Sequence, residues 1–514
     1  MSERNGKRVL FVSNEESRTG APMFLLHFLR WLKTNTSLSF EILLAKGGPL
    51  EAEFAKLGKV HGPAAFLRDT RALQTFDLIY ANTCCNGALL ELLPYGNVPI
   101  VTHVHELDYG FESMGAPHWA EVIRQSHRYI ACARVVAERL EQIFRIPPER
   151  IGVHYEMIDP TPRGPVESAA ALRQKYGIPA EALVVAACGT CDLRKGADLF
   201  VQLAAALQRR WTGERPLHYL WIGKSVDGNL DRILRHDARR SGLSQLTFTG
   251  EVENPSGLLS LCEVFCLVSR EDPFPLAMLE AAALAKPVVC FERAGGAVEF
   301  AALGGGVAVP FLDVGAMAEA CDGLLRDPDR RAAMGRHGAE SVQNNFTVET
   351  VAPALWREIE QFLASPAPAP EARVRQASFA EIFLTWNLAE APDREYVRLH
   401  LARHEEFARA RARVAEGKPG EAMPILLAAV RAVIKGDVPV ALLEALAEVS
   451  EELAPLDAGK ARYFLAQAES LAAKGSARIE FRPASPTARA PRRVRVLGLT
   501  PYDSTPFAAG DRPR

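Results

Sequence analysis

Long apolar runs are missing from this sequence. No stretch is apolar over enough residues to span a bilayer. The opening residues, "MSERNGKRVLFVSNEES", lack the apolar core and small-residue cleavage site of a secretory leader. The expected location is therefore the cytoplasm. A surplus of either charge is missing too: 60 Lys and Arg stand against 62 Asp and Glu in 514 residues. That balance gives no reason to expect nucleic acid as a partner. The nine cysteines are an odd number, and Cys132, Cys188, Cys266 and Cys290 fall in apolar, strand-like runs. Cys188 and Cys191 form a C-x-x-C with no second pair or neighbouring His to complete a zinc site, so they read as small buried residues beside a turn. Neither G-x-G-x-x-G nor the full G-x-x-x-x-G-K-[ST] occurs, which argues against a dinucleotide fingerprint and a Walker loop.

What is present is an alternation. Short β-rich runs at 8–13, 40–45, 77–81, 99–103 and 128–132 are separated by helical patterns. After the Pro/Gly-rich "IDPTPRGP" (158–165) the rhythm resumes at 183–188, 218–223, 246–250, 264–269, 287–291 and 306–310. Continuous apolar strands alternating with helices imply parallel sheets covered on both faces. Two such series imply an α/β protein of two doubly wound domains, 1–165 and 166–364, facing a cleft. A stiff "SPAPAP" opens a linker over 365–392, and the Ala/Leu-rich helical segments over 393–475 read as an all-helical module, either a small bundle or helix–turn–helix repeats that lack most of the expected signature residues. Residues 476–514 read as a low-complexity tail. Within them "RRVRVLGLTPYDSTPFAAGDR" echoes residues 7–21, so the start of a truncated further domain is the competing expectation.

Two segments carry candidate chemistry. In "GTCDLRKGADLF", Gly189 and Gly196 frame a turn that enters a helix, with Arg194 and Lys195 beside it. A helix start offers free N–H groups and a positive dipole end, which suit a diphosphate. In "SREDPFPLAMLEAAALAKPVVCF" (269–291), prolines 273 and 275 suit entry into a helix. That helix carries Glu280 among apolar neighbours, where a carboxylate needs a partner. Open parallel sheets bind ligands beyond their strands' C-terminal ends, so Asp272 and Glu280 are expected at the cleft. The D-x-D in "RDPDRR" lies between helical stretches, so Asp327 or Asp329 reads as a helix N-cap and not a metal ligand.

The 269–291 segment resembles the signature of the family-4 retaining glycosyltransferases of the GT-B fold (glycosyl transferases group 1): an acid, seven residues, a Glu, then G/A-x-P-V-V. Here the acids are Asp272, where the family usually has Glu, and Glu280. The resemblance runs in order from about residue 8 to 364, through "TGAPMFLLHFLRWL", "VTHVHELDY", "GTCDLRKGADLF" and "GGAVEF". It departs at Thr190, where the family commonly has Arg. It implies a metal-independent hexosyltransferase without a cofactor, acting in the synthesis of bacterial glycans or polysaccharides. The donor would be a UDP or GDP sugar and the acceptor a hydroxyl of a glycan or lipid-linked glycan. Peripheral membrane contact is compatible with such an acceptor, and the helical module is a candidate surface for a protein partner.

The resemblance assigns His105, Asp272 and Glu280 to catalysis. It assigns Gly20, Gly189, Thr190, Arg194, Lys195, Gly223, Asp272 and Glu280 to the donor. Lys195 would pair the diphosphate, Glu280 the ribose hydroxyls, and Asp272 the sugar hydroxyls, with His105 approaching from the other domain. A glycoside hydrolase would need two carboxylates but no lysine at a phosphate loop. The remaining alternative is a degenerate sugar-nucleotide-binding module with a helical interaction domain.

Overall fold

The computed structural model describes residues 6–364 apart from 16, 46–47, 63–71, 88–89, 91–97, 115–118, 120–121, 124 and 161–166. It also describes residue 413 and two short strands near the C-terminus. The chain separates into two units, Met1–Ala377 and Ser378–Arg514.

The first unit contains two parallel sheets. In the first lie β1 (Arg8–Ser13), β2 (Ser39–Leu44), β3 (Lys59–His61), β4 (Leu78–Asn82), β5 (Ile100–Val104), β6 (Arg128–Ala131) and β7 (Ile151–Val153), in spatial order β3-β2-β1-β4-β5-β6-β7. The second holds β8 (Leu183–Cys188), β9 (Leu217–Ile222), β10 (Leu246–Phe248), β11 (Val264–Leu267), β12 (Val288–Phe291) and β13 (Gly306–Val309), in order β10-β9-β8-β11-β12-β13. The apolar runs of the sequence became these strands. Only the three-residue edge strands β3 and β7 lay below its signal. Their burial is incomplete, so they carry little apolar pattern. Each sheet reverses its strand order once, between β1 and β4 and between β8 and β11. Those are the crevices in which a doubly wound sheet holds ligands.

Helix Gly20–Asn35 covers the first sheet through Phe24, Leu25, Phe28, Leu29 and Leu32, which recur on one face and are fully buried. The helix Val348–Ala364 follows the second domain in sequence but packs on the first. Val351, Ala352, Leu355 and Ile359 join the core of β1, β4 and helix Gly20–Asn35. Burying a Leu or Ile stabilises by roughly 1.5–3 kcal/mol, so Leu355 and Ile359 alone make this docking substantial. Glu358 fixes the register, accepting from Arg128 Nε at 2.5 Å and pairing His154 Nε2 at 2.7 Å. Burial works to raise the Glu358 carboxyl, yet His154 and Arg128 win and hold it below the ordinary 4.5.

In the second unit, β14 (Arg478–Phe481) and β15 (Val494–Leu497) pair antiparallel, Phe481 opposite Val494. The strand within the segment that echoes residues 7–21 is thus paired antiparallel. The linker over 365–392 and, apart from residue 413, the helical module over 393–475 lie outside the described residues.

Candidate functional site

The second domain builds its half of the site from the ends of β8, β9 and β11. Gly223, just past β9, sits against the loop after β8. A Cβ there would lie 2.0 Å from the carbonyl oxygen of Gly189, so the two strand ends approach as only glycine allows. Gly196 caps the helix Ala197–Arg210 at φ +78°, and a Cβ on it would lie 2.0 Å from the Val268 carbonyl oxygen. Asp192 Oδ1 accepts the Lys195 amide at 2.7 Å and shapes the turn. Half-buried Thr190 lies between these points.

Lys195 then crosses the switch point. Its Nζ stands 2.5 Å from Asp272 Oδ2, with both side chains largely buried. Asp272 is pinned through its backbone: its amide donates to Ala294 at 2.7 Å, and it bridges Gly295. Arg194 donates to the Glu271 carbonyl at 3.1 Å, so it braces the acidic segment from beneath. Glu280 is half-buried on helix Leu276–Ala283, whose N-cap is Pro275. The Cys188 thiol, at the end of β8, is pushed up first by burial and then by the charge of Glu280, while Lys195 opposes the shift. The charges of Glu280 and Lys195 thus act on this thiol in opposite directions.

The first domain contributes the ends of β1, β4 and β5. Gly20 begins the helix after β1, with open space before its Cα. His105 follows β5. Its Nδ1 lies 2.6 Å from Glu156 Oε1 and its Nε2 lies 3.2 Å from Asn82 Oδ1. Glu106 ties the adjoining loops together by accepting from the amides of His105 and Cys84 and from the hydroxyl of Thr83. His103 stacks 4.1 Å from His105 and bonds Tyr80 through Nδ1. Burial, then the charges of His105 and His154, keep His103 well below the usual imidazole range.

Two carboxylates of the second domain clasp helix starts of the first. Glu271 accepts the amides of Tyr109 at 2.8 Å and Gly110 at 3.1 Å. Burial raises its carboxyl pKa, while those two bonds pull against the rise. Glu299 accepts the amides of Val135 and Arg134 and the hydroxyl of Tyr155. Burial and the Glu299 bond push Tyr155 up to about 12.

Of the residues expected at the site, Gly189, Thr190, Arg194, Lys195, Gly223, Asp272 and Glu280 gather around the ends of β8, β9 and β11. Gly20 and His105 lie at strand ends of the first domain. The sequence did not point to Glu156, Asn82 or Glu106. Glu156 and Glu106 lie in loops and Asn82 is the last residue of β4, and only a carboxylate within the part-apolar "VHYEMID" hinted at the first. Asp327 caps the helix Pro328–Asn345, its Oδ1 accepting the Arg330 amide at 2.9 Å, as expected of that decoy. Among the described residues, one group could hold a metal ion: His105, Cys132 and Glu156 bring ligand atoms within 4.8 Å of one another. The His105–Glu156 bond joins two of those ligand atoms directly.

Comparison with known proteins bears on the whole arrangement. Residues 47–161 match the family Glycosyltransferase Family 4, and residues 168–341 match Glycosyl transferases group 1. These segments together span more than half of the chain. The chain belongs to the family-4 glycosyltransferases. Within that family it is 30% identical over 259 residues to a D-inositol 3-phosphate glycosyltransferase of Gordonia bronchialis, covering 48% of this chain and 55% of that protein. It is 28% identical to a glycogen synthase of Mycobacterium tuberculosis, over 52% of this chain and 64% of the relative. The chain thus spans about half to two thirds of the length of these family members. Among solved structures, Anabaena HepE in complex with UDP and glucose superposes with a TM-score of 0.60 at 19% identity, over 69% of this chain and all of that one. WaaG, a glycosyltransferase involved in lipopolysaccharide biosynthesis, does so with 0.55 at 14%, over 68% of this chain and 99% of that one. The fold of this family-4 chain is GT-B.

Proposed function

We propose that this chain is a retaining glycosyltransferase. It moves a sugar from a nucleoside-diphosphate sugar, of UDP or GDP type, to an acceptor hydroxyl on a glycan or lipid-linked glycan. The observation that carries this reading is the Lys195–Asp272 ion pair at the β8/β11 switch point, beside a glycine-lined helix start. A lysine ammonium is a point-like partner for phosphate. In the bound complex the diphosphate takes over Lys195, and Asp272 is released towards sugar hydroxyls. Glu280 accepts the ribose hydroxyls, and Gly20 lines the sugar–diphosphate side. Glu271 and Glu299 clasp the two domains around the donor.

In the transfer, the bond between the anomeric carbon and the diphosphate oxygen breaks. The acceptor oxygen bonds to that carbon on the same face, and its proton passes to the leaving diphosphate. Lys195 and the N-terminus of helix Ala197–Arg210 stabilise the charge that develops there, a task of electrostatics that protein groups perform without a metal. We place the reaction in bacterial glycan or polysaccharide synthesis in the cytoplasm. No described helix is long and apolar enough to cross a membrane.

The test is a thermal-shift screen against UDP, GDP, ADP, dTDP and their sugars, followed by NMR of the product's anomeric configuration. A ligand that binds only the native state raises the melting temperature. A shift with one nucleotide class and a product of unchanged configuration are expected. No shift with any of them would leave a degenerate binding module as the reading, which Thr190 in place of the family's Arg favours.

A further inference from the structure

The ends of β4, β5 and β7 bring three residues into a line. Asn82 ends β4, His105 follows β5, and Glu156 lies just beyond β7. The imidazole is held between them: Nδ1 at 2.6 Å from Glu156 Oε1, Nε2 at 3.2 Å from Asn82 Oδ1. The Asn82 amide is oriented by its own donation from Nδ2 to the Ala21 carbonyl at 2.8 Å, which leaves Oδ1 as the acceptor that meets the ring. A carboxylate accepts, so Nδ1 carries a proton. Buried His103 backs the ring at 4.1 Å, and Phe24 meets it edge-on at 5.7 Å. The ring can neither tilt nor turn without losing the short bond to Glu156.

We propose that Glu156 is a positioning residue for the transfer reaction: it locks His105 through Nδ1, so that Nε2 is the edge offered to the donor. The inference rests on the glycosyltransferase reading of the cleft. The two contacts of the ring are unequal. The Glu156 bond is short, charge-assisted and buried, whereas the Asn82 bond is longer and made to a neutral amide. A sugar hydroxyl or phosphate oxygen can replace Asn82 at Nε2 without disturbing the anchor. Glu156 also keeps its second oxygen, Oε2, buried and without a hydrogen-bond partner. A half-satisfied buried carboxylate is costly to the fold, and a functional role accounts for its presence better than a structural one.

The experiment compares the whole protein with Glu156→Gln and Glu156→Asp. Turnover is read as nucleotide release from a panel of UDP-, GDP-, ADP- and dTDP-sugars, with water as acceptor, and the His105 ring is read by nitrogen-15 NMR. In the unmodified protein the spectrum shows a hydrogen-bonded proton on Nδ1, slow to exchange. With Glu156→Gln that signal is lost or displaced and kcat falls roughly ten- to a hundredfold. The donor KM changes little, as expected when the interaction lost is one made in the transition state. Glu156→Asp, which keeps the charge, recovers part of kcat. An Nδ1 without a bonded proton in the unmodified protein, or unchanged kcat in folded Glu156→Gln, overturns the proposal. Should Glu156→Gln fail to fold, Glu156→Asp with unshifted ring signals and full kcat overturns it equally. Absence of turnover by the unmodified protein with every donor overturns instead the reading on which it rests.

Discussion

Glu271 Oε2, in the second domain, accepts the amide of Tyr109, in the first, at 2.8 Å. With the Gly110 bond beside it, one carboxylate caps the start of helix Asp108–Met114 from across the cleft. Loss of a cap costs about 0.5–2 kcal/mol, and here the cost falls on the contact between domains. Burial of Glu271 opposes its amide bonds, so Glu271→Ala changes the melting temperature little. The amides of Tyr109 and Gly110 then exchange with solvent several-fold faster. Unchanged exchange at both would show that the clasp holds nothing together.

Lys195→Ala is expected to weaken binding of the nucleoside diphosphate by roughly ten- to a hundredfold, the value of a charge-assisted bond. The nucleoside alone loses far less affinity. Titration calorimetry with UDP against uridine, or GDP against guanosine, checks the difference. Equal losses for both would mean that Lys195 does not meet the phosphates. The substitution also strands Asp272 without its ion partner, so Lys195→Met is the control for fold.

Glu280→Gln should keep the fold, because Glu280 is only half-buried, and lose most transfer activity. The expected loss is about ten- to a hundredfold in kcat/KM. Steady-state kinetics and a melting curve on the same preparation separate the two effects. A folded variant with undiminished turnover would remove Glu280 from the site.

Glu358 gives a pH dependence with a definite sign. Its folded-state pKa lies below 4.5 because His154 and Arg128 outweigh burial. A carboxyl depressed in this way contributes stability that is present above its ordinary pKa and is lost as pH falls through the folded value. Amides of the helix Val348–Ala364 should therefore lose protection as pH drops below about 4.5. In Glu358→Gln that protection is lower at pH 7 and varies less with acid. Parallel pH profiles for the two proteins would rule out the clamp.

Transfer should persist in excess EDTA, since Lys195 and a helix start supply the charge stabilisation proposed for the leaving group. Nucleotide release measured before and after chelation is the check. Activity abolished by EDTA and restored by manganese would instead require a metal at the diphosphate.

The sequence by itself determined the two sheets, because buried parallel strands must be apolar along their whole length. Runs such as "LVVAAC" and "VFCLVS" therefore announced β8 and β11. It also determined the glycine-framed turn at 189–196 and the helix that carries Glu280. Their glycines, prolines and charges act on their own backbone within a few residues, so local spacing records them. Tertiary structure alone decided what those charges meet. Lys195 and Asp272 are 77 positions apart and touch only because β8 and β11 are neighbours at the switch point. The same holds for His105 and Glu156, joined across the ends of β5 and β7, and for helix Val348–Ala364, which leaves its own domain to cover the first. Edge strands β3 and β7 stayed hidden because three residues each, incompletely buried, leave no apolar pattern. Pairings of that kind depend on strand order, and strand order is set by the burial of the whole sheet, which no short segment encodes.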